Sequence, residues 1–222
     1  MKPRVIVYNA VSLDGRIDWF KPDMGLFYGL ISGWNEDATL VGCDTALNPP
    51  EEMPAETESD FSPVDAAPDD ARPILVIPDS RGRLKNWHFW KRLPYWRKTV
   101  ALCSEKTAQE HLEYLERRHI DYIVCGADHV DYAIALERLN IQYKAKVVRV
   151  DSGGTLNGLL LRAGLVDEVH LLVHPCLVGG TTPKSFFRAP DLATGAGVMR
   201  LRLRSVEEQS EGIVLLSYEV VR

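Results

Sequence analysis

Short apolar runs alternate with helical patterns along the first 150 residues of the chain. The runs have the length and β-branched content of buried strands, and they cover residues 5–9, 39–41, 74–77, 99–102, 122–124 and 147–150. Apolar side chains recur at helical spacing between them, at Ala108, Leu112 and Leu115 and again at Val130, Ile134 and Ile141. Because strands that alternate with helices pair in parallel, the pattern predicts an α/β fold with a mostly parallel central sheet.

The pattern changes after residue 165. Residues 166–174, 200–206 and 212–221 have the composition of strands, with little room for helices between them. Strands that are joined without crossover helices pair antiparallel. We therefore expect antiparallel C-terminal strands at one edge of the sheet.

An acidic stretch interrupts the pattern at about residues 48–72. It has no lysine or arginine before its last residue, and its eight carboxylates are Glu51, Glu52, Glu56, Glu58, Asp60, Asp65, Asp69 and Asp70. A segment this charged buries little apolar surface, so we interpret it as a solvated loop. The chain is then a single domain, residues 1–222, with an acidic loop insertion. A linker between two domains is the alternative, although the part before it is short for independent folding.

Charge and composition exclude several classes of protein. The formal net charge is −5, and without the eight carboxylates of the insertion it would be +3, which suits a phosphate-bearing small ligand better than a nucleic acid. The four cysteines form no C-x-x-C pair, which argues against a zinc site. No apolar stretch approaches the ~20 residues of a membrane helix, and no signal peptide is evident. We expect a cytoplasmic protein with no metal, nucleic acid or membrane partner.

A glycine turn follows the predicted strand at 147–150. Gly153 and Gly154 lead directly into a helical pattern, for which Thr155 is the expected N-cap and Gly164 the expected C′ residue. Glycines here would let a ligand approach the backbone, and the N–H groups of a helix N-terminus bind pyrophosphate. A tight turn that only needs small residues is an equally good interpretation of this motif alone.

Three more polar loops follow predicted strands. Residues 79–83 read Asp-Ser-Arg-Gly-Arg, in which Ser80 and Arg81 are suited to a 2′-phosphate, with a solvated polar turn as the alternative. Residues 10–17 and 41–45 have the same position relative to their strands. Ligands bind at the carboxyl ends of strands in α/β sheets, and no nucleophile–base pair is evident. These loops therefore predict a cleft in which a cofactor does the chemistry.

Together the motifs resemble those of a known family. S-L-D-G-R-I, V-G-C-D-T, P-D-S-R-G-R, S-G-G-T-L-N and G-L-V-D-E-V occur in the order seen in the reductase domain of riboflavin-biosynthesis deaminase/reductase proteins. They are most similar to the stand-alone form, the diaminohydroxyphosphoribosylaminopyrimidine reductases. The resemblance spans nearly the whole chain apart from the acidic insertion. The H-x-E and P-C-x-x-C motifs of the deaminase half are missing.

The resemblance implies a dihydrofolate-reductase-like three-layer fold, NADPH as hydride donor, and a homodimer. The implied reaction reduces the ribosyl group of a small phosphorylated pyrimidine substrate to a ribityl group. Asp151 matches an acidic substrate-binding residue. Asp14 would make a polar contact near the nicotinamide and, with Asp151, bind the substrate. No acid or base is assigned, and Asp14 is the one candidate for a catalytic residue. With Arg81 added from its own loop, the expected NADPH site consists of Ala10, Ile17, Thr45, Ser80, Arg81, Gly153, Gly154, Thr155 and Leu156.

Two departures from the family pattern concern the substrate. The family commonly continues its G-x-x-T segment with Asp-Asp-Pro, whereas Thr45 is followed here by Ala-Leu-Asn-Pro-Pro. An arginine that the family places before its second strand is also absent, since Gly-Trp-Asn-Glu stands at 33–36. Two alternatives therefore stay open: a reductase of the same fold that acts on a different small substrate, and a non-catalytic nucleotide-binding module.

Two further patterns favour structural interpretations. His170 and His174 have the spacing of a helical zinc pair, but their β-branched neighbours indicate a strand without a third ligand. Residues 86–98 mix aromatic and basic side chains as single-strand nucleic-acid binders do. We interpret that stretch as a loop over the cleft or in a subunit interface.

Overall fold

The computed structural model describes residues 2–49, 53–63, 67, 69–182 and 184–222. The strands of this part of the chain are β1 (Arg4–Ser12), β2 (Ala38–Val41), β3 (Ile74–Pro78), β4 (Lys98–Cys103), β5 (Asp121–Val124), β6 (Val147–Asp151), β7 (Glu168–His174), β8 (Arg200–Glu208) and β9 (Val214–Val221). The helices are α1 (Met24–Ile31), α2 (Cys43–Leu47), α3 (Trp87–Arg92), α4 (Gln109–Arg117), α5 (Tyr132–Tyr143) and α6 (Gly154–Arg162). None of these helices is long and apolar enough to cross a membrane.

The chain divides into two compact units. The first consists of Met1–Pro3 and Glu36–Val148, and the second of Arg4–Asn35 and Arg149–Arg222. In the first unit β2, β3, β4 and β5 are parallel and follow one another in the sheet. Their core includes Leu75, Ile77 and Ala101 from the strands together with Trp87 and Leu115 from the helices.

The second unit contains the antiparallel strands. Its strand order is β6-β1-β7-β9-β8; β7 pairs in parallel with β1 and antiparallel with β9, which in turn pairs antiparallel with β8. The apolar cluster of this unit contains Tyr8, stacked on Phe27 with ring centroids 4.3 Å apart, and Leu172. The predicted fold class, mostly parallel with antiparallel C-terminal strands, is confirmed, and each predicted strand is present.

The two histidines of β7 are part of this packing. His170 lies 2.8 Å from the Ser217 hydroxyl through Nδ1 and 2.9 Å from Glu168 through Nε2. The backbone N–H of Asp23, the N-cap residue of α1, donates to Nε2 of His174. Both imidazoles are buried on strand β7, as the β-branched sequence around them indicates.

The aromatic and basic stretch at 86–98 is not the loop that we expected. Its first half is helix α3, in which Trp87, Phe89 and Trp90 are buried in the core of the first unit. The indole N–H of Trp90 donates to the carbonyl of Ala46. Three aromatic side chains among four residues can all be buried here because the helix is short and its neighbouring elements cover more than one face.

The acidic insertion is also held more firmly than a solvated loop. Asp60 is only 4% exposed and forms an ion pair with Arg92 of α3. Glu56 forms another with Arg118, N–O distance 2.6 Å, and the ammonium group of Lys91 donates to the carbonyls of Asp60, Ser62 and Arg118. Cations from other parts of the first unit therefore neutralise carboxylates that have no cation near them in the sequence. Glu51, Glu52 and Asp65 lie outside the described residues.

Candidate functional site

The S-L-D-G-R-I turn ends strand β1 in the second unit. The hydroxyl of Ser12 accepts the backbone N–H of Arg16, and Gly15 has a φ of +75°, which favours glycine at the tight point of the turn. The Asp14 carboxylate accepts three hydrogen bonds, from the Ser12 hydroxyl at 2.6 Å and from the backbone N–H groups of Val178 and Gly179. These bonds lower the pKa of Asp14 to about 2, so this carboxylate is ionised at neutral pH and is not a proton donor.

A segment that we call the strap, residues 176–188 without 183, runs along this turn. Backbone N–H groups of Leu13 and Ile17 donate to the strap, and the N–H of Phe186 donates back to Gly15. The guanidinium of Arg16 donates to the carbonyl of Thr182 at 2.7 Å and also to its hydroxyl. The role of the strap could not be predicted from the sequence, because its contacts are made mainly by backbone atoms.

The strap also lies against the start of helix α6. The N–H of Arg188 donates to the carbonyl of Gly154 at 2.9 Å. A Cβ added at Gly154 would lie 2.3 Å from the carbonyl oxygen of Ser185, and one added at Gly158 only 1.8 Å from that of Arg188. Gly154 and Gly158 therefore make room for the protein's own backbone, and the strap by itself accounts for the lack of a side chain at Gly154.

Gly153 is different from the two helical glycines. A Cβ at this position would meet only Cδ1 of Ile17, at 3.6 Å. Gly153 is the N-cap residue of α6 and makes no side-chain cap, so Thr155 is the second residue of the helix and not its N-cap. Leu156 is buried, whereas Thr155 is exposed. The space beside Gly153 and the first turn of a nine-residue helix remain suited to an anion.

Asn157 is the last residue of the S-G-G-T-L-N motif and lies in helix α6. Its amide nitrogen lies 2.8 Å from Oδ1 of Asn9 and 2.7 Å from the carbonyl of Phe186 in the strap. The amide of Asn9 donates in turn to the carbonyl of Ser152. This buried amide pair joins β1, the glycine turn and the strap. The signal available in the sequence was a polar residue on the apolar face of a helix.

Asp151 ends strand β6 in the same unit. Its carboxylate lies 2.8 Å from a guanidinium nitrogen of Arg149, whose side chain is buried. The Asp151 side chain is about one-third exposed, so it is held by the arginine and still reaches solvent. Among the expected cofactor residues of this unit, Ala10 and Ile17 are half-buried.

The loop at 79–83 in the first unit is organised by the buried carboxylate of Asp79. It accepts the backbone N–H groups of Arg83 and Leu84, both at 2.8 Å, and lies 3.3 Å from Nε2 of His111. Burial alone would raise the pKa of Asp79, but the neighbouring imidazole of His111 and the hydrogen bonds from these N–H groups hold it below its ordinary value. Gly82, with a φ of +63°, passes so close to the His111 ring that a Cβ would lie 2.7 Å from it.

The two arginines of this loop differ. Arg83 pairs with the exposed carboxylate of Asp44 at 2.7 Å. Arg81 is exposed and forms no ion pair with the described residues. The carbonyl of Ser80 accepts the Thr107 hydroxyl at 2.8 Å, which holds the backbone beside Arg81 in place. Thr45, the remaining expected residue of the first unit, is exposed on helix α2.

Glycine- and aspartate-bearing loops follow the strands of this α/β fold, and ligands of α/β sheets bind at the carboxyl ends of the strands. The family model of the RibD C-terminal domain matches residues 32–215, so the chain belongs to that family. It is 30% identical over 97% of its length to the 2,5-diamino-6-ribosylamino-4(3H)-pyrimidinone 5′-phosphate reductase of Methanothermobacter thermautotrophicus, of which it covers 97%.

Solved structures show the same fold. A pyrimidine reductase-like protein from Corynebacterium diphtheriae has a TM-score of 0.72 at 18% identity, with 99% of this chain and 92% of that chain covered. The RibD protein of Acinetobacter baumannii has a TM-score of 0.71 at 22% identity, with 99% of this chain covered. The chain spans only 58% of that longer protein.

Proposed function

We propose that the chain uses NADPH to reduce the ribosyl group of a phosphoribosylamino-pyrimidine to a ribityl group, as a cytoplasmic enzyme of riboflavin biosynthesis. The observation that carries the proposal is the end-to-end likeness to a reductase named for 2,5-diamino-6-ribosylamino-4(3H)-pyrimidinone 5′-phosphate. NADPH, when bound, supplies the hydride that is added to C1′ of the ribosyl group. The departures after Thr45 and at 33–36 keep a different small substrate as the second candidate.

The glycine turn of the second unit fits a pyrophosphate. The first N–H groups of a helix have no partners within the helix, and the partial positive charge of the helix N-terminus attracts anions. Because Gly153 has only Ile17 Cδ1 near its missing Cβ, a phosphate oxygen can reach the backbone there. We assign Gly153, Gly154, Thr155 and Leu156 to the pyrophosphate through their backbone, and Ala10 and Ile17 to the nicotinamide side.

In the first unit Arg81 fits the 2′-phosphate that distinguishes NADPH from NADH. It is the unpaired arginine of its loop, whereas Arg83 already binds Asp44. A guanidinium donates charge-assisted hydrogen bonds to phosphate, with Ser80 and the exposed Thr45 as further polar groups.

The remaining polar residues suit positioning more than proton transfer. Asp14 is ionised and engaged in three hydrogen bonds that hold the turn and the strap. Asp151, fixed by Arg149 and partly exposed, would accept hydrogen bonds from the substrate. Alignment of the reactants can supply much of the rate enhancement where the hydride acceptor is already electrophilic. We also propose that the chain forms a homodimer, as its resemblance to the family implies.

The test compares cofactor affinities by calorimetry and turnover by the absorbance of reduced nicotinamide. NADPH should bind at least about tenfold more tightly than NADH, roughly 1.4 kcal/mol. Arg81→Glu should remove that difference and leave NADH binding unchanged, and Arg117→Glu on the exposed side of α4 is the control. Equal affinities in the wild-type protein would refute the cofactor assignment. If NADPH binds tightly but is not oxidised in the presence of the pyrimidine phosphate, the cofactor assignment stands and the substrate assignment is refuted.

A further inference from the structure

Trp19 combines a strained backbone with an exposed side chain. It lies in the loop between β1 and helix α1 and has a φ of +64°, a positive value that is an outlier for so bulky a residue. It is 86% exposed, more than any other large apolar residue in the described part of the chain. Backbone strain of this kind is concentrated at ligand sites. Neither feature stabilises the fold, so both indicate that Trp19 serves a ligand.

The indole of Trp19 is free to contact a ligand through its ring. Among the described residues no aromatic ring or cation packs on it, whereas Trp34 packs on Tyr8 and His170. A tryptophan face that the protein leaves uncovered can stack on a planar heterocycle, as aromatic side chains do with nucleic-acid bases.

The loop of Trp19 lies at the carboxyl ends of neighbouring strands. The ring of Phe20 lies 5.2 Å from that of His174, the last residue of β7, and the N–H of Asp23 donates to the same imidazole. Strand β1 lies between β7 and β6, so the end of β7 is two strand spacings, about 10 Å, across the sheet from Asp151 at the end of β6. A ribosylamino-pyrimidine phosphate can span that distance.

The same loop borders the proposed cofactor site. Ile17, two residues before Trp19, lies with its Cδ1 3.6 Å from the point where a Cβ of Gly153 would be. The glycine turn and Ile17 are assigned above to the pyrophosphate and the nicotinamide, whereas the substrate has only Asp151 among its contacts outside the turn at 12–17. The two departures from the family pattern remove residues, one of them an arginine, from the substrate side. The ring and the phosphate of the substrate therefore need other partners.

Lys21 adds a cation to this loop. Its side chain is exposed and forms no ion pair with the described residues. The neighbouring carboxylates are engaged elsewhere: Asp18 lies 3.7 Å from Nε of Arg16, and Asp23 accepts the N–H of Leu26 at the start of α1. An ammonium group binds phosphate as a point charge. Lys21 therefore supplies a positive charge of the kind that a phosphorylated substrate needs.

We propose that the loop at 18–23 binds the substrate: the indole of Trp19 stacks on the pyrimidine ring, and the ammonium group of Lys21 pairs with the 5′-phosphate. The inference rests on the function proposed above. The two contacts recognise different parts of one molecule, a planar heterocycle and a phosphate group, so each of them can be tested by itself.

The first test replaces Trp19 by glycine, which adopts a positive φ without strain. Trp19→Gly should keep or raise the unfolding midpoint, but it should raise the KM for the pyrimidine phosphate by roughly tenfold or more through the loss of stacking. The kcat and the Kd for NADPH should be unchanged, as expected for a residue that only binds substrate. Trp19→Phe should restore most of the affinity. Tyr95→Ala, at an exposed aromatic residue of the first unit, is the control and should leave the KM unchanged.

The second test compares the substrate with the same compound lacking its 5′-phosphate. Lys21→Ala should raise the KM for the phosphorylated compound by about tenfold and leave that for the dephosphorylated compound unchanged, because only the phosphate pairs with the ammonium group. Lys146→Ala is the matched control. Lys146 is exposed just before β6, at the opposite end of that strand from Asp151, so neither KM should change.

The outcomes separate this loop from the proposed function. If the wild-type protein oxidises NADPH with neither compound, the proposed function and this inference fail together. If the wild-type protein is active but Trp19→Gly has an unchanged KM, or Lys21→Ala affects both compounds equally, only the assignment of the loop is overturned. A raised Kd for NADPH in Trp19→Gly would assign the indole to the cofactor and would also overturn it.

Discussion

The strap and the described part of the acidic insertion are both long segments with little regular structure, but they are held in different ways. The strap is fixed by backbone hydrogen bonds to the turn at 12–17. It also packs closely on helix α6, where Gly154 and Gly158 have no side chains and leave space for its backbone. The insertion is fixed by side-chain charges, above all Asp60 on Arg92. A segment can therefore be ordered by shape or by charge, and the two kinds of attachment should respond to different perturbations.

The largest expected loss of stability comes from a substitution that disturbs the packing of the strap on helix α6. Gly158→Ala places a Cβ against the carbonyl oxygen of Arg188, and the backbone there must move. We expect a loss of about 2–3 kcal/mol in the free energy of unfolding, although alanine is the better helix former. Urea denaturation measures it. Gly153→Ala is the control, and its loss should stay within about 0.5 kcal/mol because its Cβ meets no close neighbour. Equal midpoints for the two variants would show that the strap does not need the glycine.

The second effect concerns the insertion. Arg92→Ala leaves the buried carboxylate of Asp60 without its cation, and removal of one partner of a buried pair is strongly destabilising. Because the Arg92 side chain is about one-third exposed, we expect a smaller loss of about 2 kcal/mol in thermal or urea unfolding. Lys106→Ala breaks an ion pair whose two side chains are mostly exposed, and it should cost less than about 1 kcal/mol. If Arg92→Ala leaves the free energy of unfolding unchanged, the interpretation of the insertion as a solvated loop is the right one.

The smallest effect is the pH dependence of the strap's attachment. The pKa of Asp14 is lower in the folded protein, about 2, than in the unfolded chain, so its contribution to stability is present above about pH 4 and is lost as the pH falls toward 2. Asp14→Asn should therefore reduce the fall in unfolding midpoint between pH 5 and pH 2.5. Asp128→Asn, at an exposed carboxylate of the first unit, should leave the fall unchanged. Parallel curves for wild type and Asp14→Asn would contradict the hydrogen-bonded role of this carboxylate.

Most strands could be predicted because their apolar runs are continuous and bounded by polar loops. Helix α1 was not predicted: its two glycines weaken a helical pattern, and its N-cap bond from Leu26 to Asp23 is a local contact that many sequences could make. The helix α3 was taken for a loop because aromatic residues on several faces do not show the periodicity of an amphipathic helix.

The site motifs were found by their order, but their internal roles could not be predicted. A glycine that admits a ligand and a glycine that admits the protein's own backbone look the same in a sequence, and only the position of Ser185 and Arg188 distinguishes Gly154 and Gly158 from Gly153. The cations of the insertion were missed for a related reason. Arg92 and Arg118 are 32 and 62 residues from their carboxylates, and local charge counting does not reach that far.

The parallel pairing of β1 with β7 has a consequence for synthesis of the chain. Ile6 pairs with Glu168, so the first strand leaves the ribosome long before its neighbour exists. At ordinary translation rates of roughly 5–20 residues per second, the wait is on the order of ten seconds. During that time the apolar strand β1 is exposed to non-native association. By then the first unit, whose strands are contiguous in the sequence, already has all its residues. Nascent-chain protection by a chaperone should therefore matter most for the second unit.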